Sequence, residues 1–190
     1  MELAGITAIF VLAGLVKGVT GMGLPTVAMG LLGATMPPAT AAALLILPSL
    51  VTNLWQLFAG PALGALLRRL AGMMAGVVLG TLAGIPLLAG GDTGRTTALL
   101  GAALAVYAAH ALLARPLTIP ARAERWLSPL IGLATGLLTG ATGVFVIPAV
   151  PWLQSLRLGR EEMVQALGLS FTVSTLALAA GLAMHGAFAP

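Results

Sequence analysis

Two apolar stretches of this chain are interrupted in the same manner. Gly14-Leu-Val-Lys-Gly-Val-Thr-Gly-Met-Gly-Leu-Pro25 lies near the start, and Gly132-Leu-Ala-Thr-Gly-Leu-Leu-Thr-Gly-Ala-Thr-Gly-Val-Phe-Val-Ile-Pro148 lies further on. Glycine gives up helix stability, and proline has no N–H to offer a helix, so an apolar segment carrying both is built to break. Where a new helix starts after such a break, its free N–H groups and the positive end of its dipole suit an anion. Gly21 and Gly23 at the first break, with Gly140 and Gly143 at the second, would let a ligand approach the backbone closely. Thr20, Thr139 and Thr142 add hydroxyl donors beside those amides. Two breaks related by inversion would aim two helix N-termini at one central point near the bilayer midplane. The competing reading is that these small residues only permit tight helix packing; packing alone leaves Pro25 and Pro148 unexplained.

Lys17 is the only cation inside an apolar segment, one turn before the first break. A charge in a bilayer costs about 2.5 to 3.5 kcal/mol on insertion scales, so it should face a cavity, a partner or a bound anion. None of the other apolar segments contains an acid to neutralise it. Lys17 reads as the counter-ion of an anionic substrate; the alternative is a side chain that snorkels to the interface. Further on, Ser49, Asn53 and Gln56 are spaced by four and three and share one helix face, with Ser170, Thr172, Ser174 and Thr175 as a polar counterpart in the second half. Uncharged amides and hydroxyls suit an oxyanion, and equally suit hydrogen bonds between helices. The site residues expected are therefore Lys17, Thr20, Gly21, Gly23, Asn53, Gln56, Thr139, Gly140, Thr142 and Gly143.

The elements that must position these groups are membrane helices. Of 190 residues, 59% are hydrophobic and 7% charged, with a mean hydropathy of +1.06, too little polar surface to cover a water-soluble globule. The chain is expected to be an all-α, polytopic integral membrane bundle in contact with the lipid bilayer. The net charge of +4 comes from cations scattered through short connections, which argues against nucleic acid as a partner. Without cysteine there is no disulfide, thiolate metal site or Cys nucleophile. His110 and His185 stand alone near helix ends, so no metal and no cofactor is expected. Residues 1 to 16 carry Glu2 and no basic region, and their apolar run continues into the glycine motif, so they read as retained structure.

Windows long enough to span hydrocarbon fall at 39–59, 70–89, 96–114 and 162–184. The stretches 3–34 and 128–154 are too long for one upright helix and carry the breaks, so each should form a hairpin of two short helices. A linker at 115–126 separates a first repeat, 1–115, from a second, 128–190. The register supports duplication: Gly14, Leu15 and Gly18 match Gly132, Leu133 and Gly136 at an offset of 118, and Ala43-Leu44 matches Ala166-Leu167 at 123. If each hairpin returns to its own side, Arg68, Arg69, Arg115, Arg122, Arg125, Arg157 and Arg160 share one face and Arg95 lies opposite. The positive-inside rule then puts the arginine-rich face in the cytoplasm and the N-terminus outside, and three crossings between the hairpins invert the second repeat.

Gly-x-x-x-Gly-x-x-Gly-x-Gly-x-Pro in the first hairpin, its echo in the second, and Leu47-Pro-Ser-Leu-Val-Thr-Asn-Leu-Trp-Gln56 between them resemble the TauE/SafE family of membrane permeases over essentially the whole chain. That resemblance implies export of sulfite, an organosulfonate or a related small anion across the bacterial inner membrane, by a permease and not an enzyme. The second half holds a hairpin and one spanning helix where the first holds a hairpin and three. A shortened form, a homo-oligomer or completing helices from a partner chain would account for that. The rival class is a non-transporting subunit or scaffold of a larger assembly. An intramembrane hydrolase built on Ser170 and His185 lacks the glycine after the serine, and the Gly18 to Gly23 cluster has no strand or downstream acid for a nucleotide loop. Single cysteines introduced between 115 and 125 should react only with reagent on the cytoplasmic side; labelling from outside would refute the topology.

Overall fold

Lipid offers no water to backbone polar groups, so each apolar stretch satisfies its own N–H and C=O groups by coiling into a helix. The computed structural model describes residues 3–90, 92–113 and 119–186. Among them run α1 (Leu3–Thr20), α2 (Leu24–Gly33), α3 (Pro38–Phe58), α4 (Leu63–Ala89), α5 (Thr93–Leu113), α6 (Ala121–Thr142), α7 (Ala149–Ser155) and α8 (Arg160–Met184), with no strand. Helices α1, α3, α4, α5 and α8 are each long and apolar enough to cross a bilayer.

Helices α3, α5 and α8 match the expected spans within three residues at either end. Helix α4 starts at Leu63 and takes Arg68 and Arg69, expected in a connection, into its second turn. Helix α6 likewise absorbs Arg122 to Trp126 of the expected linker. Arginine is a good helix former, and its long stem lets the guanidinium stay in polar surroundings while the backbone coils. Arg115 and the rest of the linker up to residue 118 lie outside the described residues.

The two hairpins exist but are not built from two short helices. Each pairs a long limb with a short return: α1 has 18 residues and α2 has 10, while α6 has 22 and α7 has 7. At about 1.5 Å per residue, α1 and α6 extend roughly 27 and 33 Å, so each break falls near the end of a full crossing. The reason is local. Gly21 and Gly143 both hold left-handed backbone, φ 74° and 75°, which terminates the preceding helix, and Gly23 at φ 104° then caps α2 with Pro25 in its first turn.

Packing in the bundle is led by α4 against α6. Gly76, Gly80 and Gly84 of α4 interleave with Gly132, Gly136 and Gly140 of α6 at four-residue spacing. A Cβ at Gly76 would strike the carbonyl of Pro129, and one at Gly136 the carbonyl of Val77, so the two backbones touch. The numbers rise together along both helices, so the pair is parallel. Its leading ends are joined by Arg69, whose Nε donates to Glu124 Oε1 at 2.6 Å and Nη2 to Oε2 at 2.9 Å. Helices α3 and α8 pack antiparallel: Gln165 Nε2 donates to the carbonyls of Leu57 (2.8 Å) and Gly60 (2.6 Å), Gly168 abuts Gln56, and Asn53 meets Thr175. Helix α1 follows α3 in the same direction, with Lys17 beside Thr52 and Gly21 beside Gln56. Thus α1 and α3 run against α6 and α8, and the two helix–break–helix units are inverted relative to one another.

The α4–α6 seam should be intolerant of any side chain. Gly136→Leu is expected to destabilise the protein by more than the about 1–3 kcal/mol of ordinary overpacking, because backbone has to move. Gly101→Leu, where a side chain would meet nothing within 4 Å, should leave thermal stability in detergent unchanged.

Candidate functional site

The first break opens a cavity, whereas buried side chains fill the second. A space of about 730 Å³ lies between the end of α1, the last turns of α3 and the start of α8. Its wall includes Gly14, Lys17, Gly18, Thr20 and Gly21 from α1 and the break, Thr52, Trp55 and Gln56 from α3, and Arg160 and Met163 from α8. Small residues on α1 leave the room, and the polar face of α3 supplies the partners.

Lys17 is the chemical centre of this cavity. It is 5% exposed, and its ammonium donates to Thr52 Oγ1 at 2.9 Å and to Asn53 Oδ1. Nζ also stands 5.7 Å from the centre of the Phe171 ring. Among the described residues Lys17 takes part in no ion pair. An ammonium has three donors, and two are assigned here, so one is left for the cavity it lines. Asn53 is fixed in turn: its Nδ2 donates to Thr175 Oγ1 at 3.1 Å, and that hydroxyl donates to Phe171 O at 2.7 Å. The short network Lys17–Asn53–Thr175 ties α1, α3 and α8 together at the level of the cation.

Gln56 closes the wall. Its Nε2 donates to Gly21 O at 2.6 Å, fixing the break to α3, while its Oε1 is buried without a partner. Thr20 Oγ1 is committed to the carbonyls of Val16 and Met22, at 2.9 and 2.6 Å, so it stitches the turn. Gly23, Leu24 and Pro25 are buried, and none of them lines the cavity. The first turn of α2 therefore does not line the space, contrary to the expectation of an anion held on bare amides. The positive charge in the cavity comes from the side chains of Lys17 and Arg160 instead.

The second break is filled by apolar side chains. Val144, Phe145 and Val146 fill it, each at most 1% exposed. Thr139 Oγ1 donates to Thr135 O at 2.8 Å and Thr142 Oγ1 to Leu138 O at 2.6 Å, both within α6, and Gly140 is packed against Thr81 and Ile85 of α4. Gly143 lies against Met29 and Ala42. The two breaks do not converge on one central point: Gly21 is level with Gln56 and Gly143 with Ala42. Those residues are fourteen apart on α3, roughly 21 Å along its axis at 1.5 Å per residue. Each limb is a nearly full crossing, so its break is carried to the far end of the bundle, and the ends of inverted limbs lie on opposite sides.

Of the expected site residues, Lys17, Thr20, Gly21 and Gln56 line one cavity, with Asn53 behind Lys17 and Gly23 behind the turn. Thr139, Gly140, Thr142 and Gly143 are placed elsewhere, in helix packing. Three further residues take part. Thr52 holds the ammonium, and Arg160 shares the cavity from the start of α8; its place in a connection hid it. Phe171 contacts both Lys17 Nζ and Phe145, the two rings 5.3 Å apart and tilted by 56°. Aromatic residues in an apolar helix give no sequence signal of such a role.

A family model described as sulfite exporter TauE/SafE matches residues 6–190. No curated protein and no solved structure matches the chain.

Asn53→Leu should cost about 1–3 kcal/mol, since it strips a buried ammonium of an acceptor. The double variant Lys17→Met with Asn53→Leu should recover much of that loss, and a thermal-melt double-mutant cycle in detergent would measure the coupling. Additive losses would show that the pair is not coupled.

Proposed function

This chain belongs to the sulfite exporter TauE/SafE family, a family of membrane transporters, and on that premise we propose that it moves a small sulfur oxyanion through the first-break cavity. Five long apolar helices make it a multi-pass membrane protein. In this reading the substrate is sulfite or an organosulfonate, the arginine-rich end faces the cytoplasm of the inner membrane, and the N-terminus lies outside. The observation that carries the reading is Lys17: a buried ammonium with no acidic partner among the described residues and one donor left for an open cavity. A charge held at this cost in a bilayer is stabilised when an anion joins it.

The steps follow from the wall. Arg160, at the cavity end of α8, draws the anion in by long-range attraction, an effect weakened by salt. Lys17 then binds one oxyanion oxygen with its free N–H, a charge-assisted hydrogen bond. Gln56 lines the same wall and holds the break in place through Gly21 O. The Phe171–Phe145 pair stands beside the ammonium, and in this reading passage requires that pair to part. Because Phe145 belongs to the loop between α6 and α7, movement of the second hairpin against α8 opens the exit. Alternating access is then a rearrangement around Lys17 and Phe171, in place of a shared binding point between two breaks.

Reconstituted in liposomes, the protein should move sulfite, and Lys17→Met should lower transport about 10- to 100-fold, the worth of a charged hydrogen bond of about 1.5–3 kcal/mol. Lys17→Arg should keep part of the activity. Arg160→Gln should raise the half-saturating concentration more at low than at high ionic strength. Unaltered transport by properly inserted Lys17→Met would defeat the proposal, and absence of any anion flux in wild-type liposomes would favour the scaffold reading.

A further inference from the structure

A second cavity, of about 420 Å³, opens between the arginine-rich ends of α4 and α6, lined by Arg68, Arg69, Gly72, Glu124, Arg125 and Ser128. Within it Arg69 is already committed: Glu124 takes its guanidinium in a two-point ion pair, and Nη2 also donates to Leu156 O at 3.3 Å. Arg68 and Arg125 form no ion pair with any described acid, so the pocket keeps an excess of two positive charges. Ser128 is 4% exposed, and its Oγ is buried without a hydrogen-bond partner. A buried hydroxyl costs free energy unless something bonds to it, and this one lines a cationic pocket.

We propose that this pocket binds the phosphate of an anionic phospholipid. Arg68 and Arg125 supply fork-shaped donors to the phosphate oxygens and Ser128 donates its hydroxyl, while Arg69 is kept in place by Glu124. A lipid is favoured over a soluble phosphate by what surrounds the pocket. Leu67, Trp126 and Leu130 are 47%, 77% and 60% exposed, respectively, on the same ends of α4 and α6. Tryptophan beside arginine at the end of an apolar helix is the pattern of the headgroup level of a bilayer, where acyl chains have apolar side chains to lie against. Glycine at 72 faces Pro129, keeping the helix ends close, so that the arginines of both helices reach one ligand. The site is separate from the Lys17 cavity and does not rest on the transport reading.

The test uses purified full-length protein in a zwitterionic detergent, with binding read by native mass spectrometry and by thermal shift. Phosphatidylglycerol should bind and raise the melting temperature, while phosphatidylcholine should do neither. The pair Arg68→Gln and Arg125→Gln should weaken phosphatidylglycerol binding about 10- to 30-fold, from about 1 kcal/mol per arginine near the surface. Ser128→Ala should weaken it by a smaller factor, and the pair Arg68→Lys and Arg125→Lys should keep most of it, which separates loss of charge from loss of fold. Inorganic phosphate, at the same concentration, should give no shift. Equal response to phosphatidylcholine, an equal shift with inorganic phosphate, or unchanged lipid binding by the glutamine pair would each overturn the assignment.

Discussion

The contact on which the structure depends is the backbone seam between α4 and α6. Apolar side chains gain nothing by leaving lipid for another helix, so association in a bilayer has to come from close packing and polar contacts. Glycine on both partners lets peptide units themselves touch, and Arg69 with Glu124 sets the register at one end. Everything in the second half hangs from this seam. It fixes α6, hence the point at which Gly143 ends that helix, and hence the loop that lays Phe145 on Phe171.

From Phe171 the chain of dependence runs to the cation. The ring stands beside the Lys17 ammonium, and Asn53, Thr52 and Thr175 hold the ammonium and its acceptor in place. A charge buried in this manner is an expensive feature in lipid, tolerated where a network orders it and a cavity reaches it. The same network joins α1, α3 and α8 at one level of the bundle.

The duplicated motif serves two purposes. In α6, Gly132 and Gly136 are pressed against α4; in α1, their counterparts Gly14 and Gly18 would meet nothing within 4 Å and form a wall of the open cavity. Equal spacing therefore yields packing in one copy and space in the other. Which outcome applies is decided by whether a helix lies alongside. This is why four of the ten expected site residues, Thr139, Gly140, Thr142 and Gly143, ended in helix packing, with Gly140 in the α4–α6 interface itself, where the competing reading of small residues as packing surface holds.

Composition and the length of the apolar runs determined that the chain is a membrane helix bundle, because about 20 successive apolar residues match a helical crossing whereas a barrel strand needs only about 9–11. Local pattern also determined where helices break, since left-handed glycine followed by proline acts within a few residues, and it singled out Lys17, because an unpaired charge in an apolar run is conspicuous wherever it folds. Tertiary structure decided how far apart the breaks lie, which of them is open, and that Arg160 and Phe171 join Lys17. Those outcomes depend on which helix faces which, and on limb lengths that carry each break to the end of a crossing. Contacts between residues more than a hundred positions apart leave no trace in spacing along one chain.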